Sequence, residues 1–450
     1  MTLEPLPSGL PAVDARARMP AGFRAGATAS GIKASGHLDL GVLATTGEPA
    51  SVAATFTRNQ IVAAPVRLSQ THLAGHYPVG AGRFGYVDAV ISTSGCANAA
   101  TGPDGERDQA DLAAALAADR GTEPELTLAI STGLIGTRLP VAGIRRHLSA
   151  LVSDGLSDTD EGLAALAEQM RTTDTHAKAA TVRLELPDRR GRRVPVTVSG
   201  IAKGVGMIHP RMATMLALIL TDARVEPLVL HALLQPSVAR TWNQVTVDGD
   251  TSTNDTVLLL ASGAAGVEVE RADSDVAGEL GRAIEAVARS LARQQAADGE
   301  GARSLITCQV SGAQDDADAR AVARSVVSSS LVKAAVHGHD PNWGRIAAAA
   351  GNARLADAAM LELGGMAPAE AVERAGQAVA IDERQLHISI CGVAVFAGRP
   401  MPFDASALGA AMTTDEVLVR LDLGAGSGAG EAFGCDLSEQ YVVENSAYST

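Results

Sequence analysis

Lys203-Gly204-Val205-Gly206-Met207-Ile208-His209-Pro210-Arg211-Met212-Ala213-Thr214-Met215-Leu216 lies near the middle of the chain, and the rest of the sequence is read outward from it. A glycine-rich stretch runs into a small residue, then a threonine, then a solid apolar run that is either strand or helix. Chemically, Ala213-Thr214 is a good junction for self-cleavage. The threonine hydroxyl can attack the carbonyl of Ala213, shift the acyl group from nitrogen to oxygen, and release it by hydrolysis. The new N-terminal threonine then carries a nucleophile and an adjacent α-amine that can act as its base. An unperturbed α-amine has a pKa near ~8, so a modest downward shift makes it competent at neutral pH. The plainer reading is that Thr214 caps the element beginning at Met215, since threonine caps helices often. From spacing alone the cap carries more weight.

Around this stretch, apolar runs and amphipathic segments interleave. Upstream, 37–44, 50–56 and 86–93 read as strands, and 126–131 as a buried strand ending in Thr132-Gly133. Segment 106–120 reads as a helix, with an acidic first turn and then Leu112 and Leu116 four apart. Segment 158–170 is another helix. Segments 181–186 and 194–198 alternate around the polar turn 188–193 and predict a hairpin. Downstream, 275–296 is the clearest helix, with Val276, Leu280, Ile284, Val287 and Leu291 on one face. Segment 317–336 predicts a second long helix, and 386–396 and 416–423 alternate like strands. The glycine-rich 424–430 predicts a flexible, exposed loop. Residues 1–20, with Pro5, Pro7, Pro11 and Pro20, predict an irregular arm. The interleaving predicts α/β or α+β, and no repeat of fixed period is visible.

Composition narrows the class. The chain has 450 residues, enough for two or three domains or one large one, and 46% are hydrophobic. Only 3% are aromatic, so the interior must be built from Ala, Val, Leu and Ile. A formal charge of -14 argues against a nucleic-acid partner. Cys96, Cys308, Cys391 and Cys435 lie far apart with no C-x-x-C pair, which fits a reducing, cytoplasmic compartment. No signal-like pattern opens the chain, and the longest apolar runs, 215–220 and 257–261, are too short to span a bilayer.

The central stretch 202–223, AKGVGMIHPRMATMLALILTDA, resembles the signature of the ornithine acetyltransferases, also called glutamate N-acetyltransferases, of arginine biosynthesis. Further stretches of the same family pattern follow the family's order: Gly31-Ile32-Lys33 with Asp39-Leu40, TFTRNQIVAAP at 55–65, ANAATG at 97–102, STGLIG at 131–136 and TTDTHAK at 172–178. After the centre come DGDTSTNDTV at 248–257, DGEGA at 298–302, DPNWGRI at 340–346 and the terminal ENSAYST at 444–450. Each alone is weak; the ordered set, covering nearly the whole chain, is specific.

The resemblance implies a four-layer α/β/β/α fold, cleaved into an alpha chain 1–213 and a beta chain 214–450 that stay interwoven, the latter with a C-terminal subdomain from about 300. Two copies of each chain would associate. Thr214 would be the catalytic nucleophile, freed by cleavage after Ala213. Thr132 and Gly133 match the pair that forms the oxyanion hole, a role for which a hydroxyl and a backbone N–H are suited. Lys203, Thr173, Glu300, Asn445 and Thr450 match substrate contacts, with Thr173 chosen over its neighbour Thr172. A carboxylate at Glu300 would pair with the side-chain ammonium of ornithine. Taken singly, each has an ordinary role: Lys203 as a surface ion-pair partner, Glu300 in a turn, Asn445 and Thr450 in a loose tail. The implied reaction carries the acetyl group of N2-acetyl-ornithine to glutamate by a ping-pong path through acetyl-Thr214. Some members of the family also accept acetyl-CoA.

The sequence departs from the family pattern at Cys96, Ala100, Arg303-Ser304 and His337-Gly338-His339, positions expected to line the pocket and bear on the acyl acceptor. Two alternatives use the same residues differently: a related amidase or aminopeptidase with water as acceptor, and an acetyltransferase for another amino acid. A third is an uncleaved binding protein. No cofactor and no metal are expected. His337-x-His339-Asp340 reads as a loop with capping roles rather than a metal set, and 248–255 as a polar turn lacking the later Glu of a calcium loop. Gly204 and Gly206 lack the third glycine of a dinucleotide fingerprint. The basic run 189–193 is a solvated hairpin tip.

Overall fold

The computed structural model describes residues 8–209 and 215–446. The apolar run after the central stretch is a strand, Leu216–Thr221, and all six of its residues are buried. A strand buried on both faces reads as a continuous apolar run rather than an alternating one. Leu216, Leu218 and Leu220 point to one core, and Ala217 and Ile219 to another. Its parallel neighbour Thr256–Ala261 divides its side chains in the same way. Each buried leucine or isoleucine contributes about 1.5–3 kcal/mol of transfer free energy.

These two strands centre a six-stranded sheet, ordered Phe84–Val87, Ala50–Phe56, Thr256–Ala261, Leu216–Thr221, Arg193–Lys203, Lys178–Pro187. One face is covered by the helices Pro227–Arg240 and Asp275–Ala297. The latter starts at Ser274, whose hydroxyl accepts from the Ala277 N–H, and buries Leu280, Ile284, Val287 and Leu291. The other face packs on a second sheet of four strands, Phe23–Thr28, Leu40–Thr45, Ala89–Cys96 and Thr127–Leu134. Phe23, Leu43, Val90, Leu128 and Ile130 fill the space between the sheets. The outer face of this second sheet carries the helices Gly102–Arg120 and Val141–Ala150 through Leu112, Leu116, Ile144 and Leu148. A third sheet holds a separate core. It is ordered Val245–Thr246, Gly428–Cys435, Leu305–Ala313, Glu416–Asp422, His387–Ile390, Val393–Ala397, with the helix Asp316–Ser328 packed on it.

The predicted hairpin 181–198 and helix 275–296 are present as Lys178–Lys203 pairing and Asp275–Ala297. Four expectations need correction. The strand expected to end in Thr132-Gly133 keeps pairing with Ala89–Cys96 through that pair and runs on to Leu134. The long helix 317–336 is two, Asp316–Ser328 and Ser330–His337: Ser329 is extended and its hydroxyl accepts from the Val332 N–H, starting the second. The expected loop 424–430 becomes a strand at Gly428, paired with Leu305–Ala313. The run 86–93 is two strands in different sheets, divided at Asp88.

Candidate active site

Six of the residues singled out in the sequence meet in one pocket of about 150 Å3: Thr132, Gly133, Thr173, Lys203, Glu300 and Asn445. They come from both layered sheets, from the segment that follows the helix Asp160–Met170, from the turn after the helix Asp275–Ala297, and from the terminal helix Glu439–Ser446. Ala213, Thr214 and Thr450 lie outside the described residues. Met215, directly after Thr214, lines the same pocket.

Lys203 ends the strand Arg193–Lys203 and is buried. Its Nζ donates to Thr172 Oγ1 at 2.7 Å and to Thr132 Oγ1 at 3.2 Å. Thr132 thus accepts from an ammonium and keeps its own proton to donate. Gly133 beside it has φ +128°, and a Cβ there would sit 2.3 Å from the Gly95 carbonyl carbon, so only glycine lets the two strands run this close. Asn254 clamps the strand end from below, donating to the carbonyls of Ser131 (2.9 Å) and Ala97 (2.7 Å).

Beneath Lys203 lies a buried chain of charges that the sequence reading missed. Asp174 accepts from Lys178 Nζ at 2.7 Å and from the Gly204 N–H at 2.8 Å, and its other oxygen is 3.8 Å from Lys203 Nζ. Lys178 also donates to Asp298 at 2.6 Å. Burial alone would raise the Asp174 carboxyl; Lys203 and Lys178 outweigh it and hold it well below the usual carboxylate range. Burial pulls the Lys203 ammonium down, against the attraction of Asp174. The available signal was the four-residue spacing of Asp174 and Lys178 within TTDTHAK; which charge they would face depended on the fold. Lys33 supports the same loop. Its Nζ donates to the Arg171 carbonyl at 2.7 Å, and burial pulls the ammonium down to about 8.

At the mouth, Glu300 accepts from Thr173 Oγ1 and from Asn445 Nδ2, each at 2.8 Å. A Cβ on Gly206 would lie 2.3 Å from Glu300 Oε2, so glycine makes room for the carboxylate. Both threonines of the pair therefore have roles here, Thr173 on Glu300 and Thr172 on Lys203. Asn445, read singly as part of a loose tail, is helical. Asp248 accepts from the Ile208 N–H at 2.8 Å and fixes the chain entering the central stretch.

None of the positions departing from the family pattern lines the pocket among the described residues. Cys96 is buried beside Thr137, and burial pushes its thiol up. Arg303 and Ser304 donate their N–H groups to Asp436, and His337 Nδ1 lies 2.9 Å from the same carboxylate. Arg303 and His337 also reach Glu439 of the terminal helix, at 3.8 and 3.1 Å.

The hydroxyls of Thr132, Thr172 and Thr173, an ammonium and a carboxylate gathered in one small pocket on a mixed α/β body define an enzyme for small polar molecules. The chain belongs to the ArgJ family, which matches residues 24–450. The arginine biosynthesis bifunctional protein ArgJ of Thermus thermophilus is 41% identical to it, over 96% of this chain and 99% of its own. The protein of the same name from Deinococcus radiodurans is 42% identical, over 96% and 97%. Among solved structures it is similar to arginine biosynthesis bifunctional protein argJ of Bacillus halodurans, at 33% identity and TM-score 0.43, over 51% of this chain and 98% of that one. No described helix is long and apolar enough to cross a membrane.

Proposed function

We propose that the chain is a self-processing acetyltransferase of arginine biosynthesis that moves the acetyl group of N2-acetyl-ornithine to glutamate. Cleavage between Ala213 and Thr214 gives an alpha chain 1–213 and a beta chain 214–450 interwoven in a four-layer α/β/β/α body, paired as two copies of each in the cytoplasm. The α-amine of Thr214 takes the hydroxyl proton, and the oxygen attacks the acetyl carbonyl. Thr132 and the Gly133 N–H stabilise the oxyanion; the Lys203 ammonium behind Thr132 strengthens its hydroxyl as a donor. Ornithine leaves with the proton, and glutamate then discharges the acetyl-Thr214 ester by the reverse steps. Covalent catalysis splits one amide-to-amide transfer into two easier steps. Glu300, bonded only to neutral donors among the described residues, faces the ornithine side-chain ammonium. Thr450 is assigned to substrate contact with it.

The observation that carries the reading is the meeting of Met215 with Thr132, Gly133, Lys203 and Glu300 in one pocket, within a chain of the ArgJ family. The departures from the family pattern stand away from the described lining, so no observation favours another acceptor. The test is to mix the enzyme with N2-acetyl-ornithine and no acceptor. The chain that begins at Thr214 should gain one acetyl mass, and glutamate should remove it as N-acetyl-glutamate. Absence of the adduct sinks the covalent path, and discharge by water as fast as by glutamate makes the enzyme a hydrolase.

A further inference from the structure

Thr132 and Gly133 sit where the pairing of their strand becomes irregular. The parallel ladder of Ala89–Cys96 with Thr127–Leu134 runs evenly from Ala89 opposite Thr127 to Ser94 opposite Thr132. It then breaks register at Gly95 and Cys96, so that Thr132 stands opposite both Ser94 and Cys96. An irregularity of this kind bends a strand, re-aims its side chains and disrupts the ladder locally. The directions of the Thr132 hydroxyl and the Gly133 N–H therefore need a support that the ladder alone does not give.

Asn254 supplies that support. It is buried, and its Nδ2 donates to the carbonyl of Ser131 at 2.9 Å and to that of Ala97 at 2.7 Å. Ser131 precedes Thr132 on one strand and Ala97 follows Cys96 on the other, so the two bonds bridge the irregular pair from either side. Two carbonyls facing one side-chain end call for the two N–H groups of an amide; a carboxylate of the same shape has no donor there. The amide is itself held, because its Oδ1 accepts from Thr253 Oγ1 at 2.6 Å. The backbone before it is held as well: the Ser252 carbonyl accepts from Thr57 Oγ1 at 2.6 Å and the Thr253 carbonyl from the Ala63 N–H at 3.0 Å. Two residues on, the Thr256 N–H donates to the Met215 carbonyl at 2.9 Å, and Thr256 pairs with Leu216. One short segment thus holds the residue directly after Thr214 and, through Asn254, the strand end that carries Thr132 and Gly133.

We propose that Asn254 is a positioning residue for acetyl transfer, setting the place of Thr132 and Gly133 relative to the strand that follows the nucleophile. The two parts belong to different sheets, and the Asn254 amide is the tie between them at the pocket. The inference rests on the reading of Thr132 and Gly133 as the oxyanion hole. Fixed donors work only when aimed at the place where charge develops, and a misplacement of about 1 Å lowers a rate roughly a hundredfold. Because the hole acts on the transition state, the loss belongs in kcat, with KM little changed.

A double-mutant cycle tests this, with kcat and KM for transfer from N2-acetyl-ornithine to glutamate expressed per chain that begins at Thr214. Asn254→Ala should lower kcat roughly tenfold or more and change KM by less than about twofold. In a Thr132→Ala background the same substitution should lower kcat by less than about threefold, because the hydroxyl it helps to aim is already gone. Thr253→Val removes the donor on Asn254 Oδ1 and should lower kcat by about threefold; it gives a second reading if Asn254→Ala folds or processes poorly. Thr132→Ala alone reports on the oxyanion reading: an unchanged rate there removes the hole and this role with it. With that loss present, three results overturn the proposal on Asn254 itself. Asn254→Ala and Thr253→Val may both keep the wild-type kcat, the Asn254→Ala factor may be equal in both backgrounds, as a general loss of folded enzyme would give, or the loss may fall in KM.

Discussion

Two cavities of this molecule are built differently around their charges. Below the candidate active site, Lys203, Asp174, Lys178 and Asp298 alternate in sign and are locked together by short contacts, while Glu300 at the mouth is bonded by neutral donors. The balanced part holds the floor rigid, and the unbalanced carboxylate leaves the mouth negative. A second cavity, of about 640 Å3, instead sets Arg320, Arg324 and Arg354 beside the apolar Leu355, Met360 and Leu361. A balanced network fixes a geometry, whereas a surplus of one sign selects a ligand of the other. Total charge, strongly negative here, predicts neither.

The predictions sharpen this contrast, beginning with the most severe. Thr214→Ala should leave one chain of 450 residues where wild type gives fragments of 213 and 237, seen on a denaturing gel, and should abolish acetyl transfer. An active wild type that stays full-length would remove the N-terminal nucleophile from the mechanism. Next is the floor. Asp174→Asn leaves two buried ammonium groups without their shared anion and should cost ~3–5 kcal/mol in denaturant unfolding. The carboxyl of Asp174 is held below its unfolded value, so its contribution is present above about pH 4 and is lost as pH falls towards the lowered folded value. Acid unfolding of wild type should therefore show a stability loss there that Asp174→Asn lacks. Equal acid profiles would show that the chain of charges is not a stabilising network.

Thr132→Ala should keep the fold and lower turnover about a hundredfold, the loss typical of a removed oxyanion donor. An unchanged rate would remove Thr132 from the mechanism. Glu300→Gln should reduce use of acetyl-ornithine several-fold while changing discharge by glutamate less, since only ornithine brings a side-chain cation. Equal losses in both half-reactions would mean that the carboxylate positions Thr173 and Asn445 instead. At the bottom of the scale, Arg271→Ala breaks the exposed Arg271–Asp273 pair and should leave the denaturant midpoint unchanged within error. A measurable shift would undermine the distinction between buried and solvated charge on which the other predictions rest.

Local pattern was enough for the elements that bury one face or both along a regular period. The helix Asp275–Ala297 and the hairpin of Lys178–Pro187 with Arg193–Lys203 are legible because their apolar residues recur at helical or strand spacing. The ordered motifs were enough for the candidate residues Thr132, Gly133, Thr173, Lys203, Glu300 and Asn445, which are scattered over three hundred positions of the chain yet share a pocket. Tertiary pairing decided the rest. Gly428–Cys435 has the composition of a loop and became a strand because a neighbouring strand supplied hydrogen bonds. Ser329 interrupted a continuous helical pattern because its own hydroxyl satisfied the next helix's N–H. Asp174 and Lys178 look like solvated charges in sequence; they are buried because the turn after residue 170 folds under Lys203, where only opposite charges can offset the loss of water. Periodicity reports how a segment meets its immediate neighbours, whereas the sign and balance of charge in a pocket arise from residues that the chain brings together from far apart.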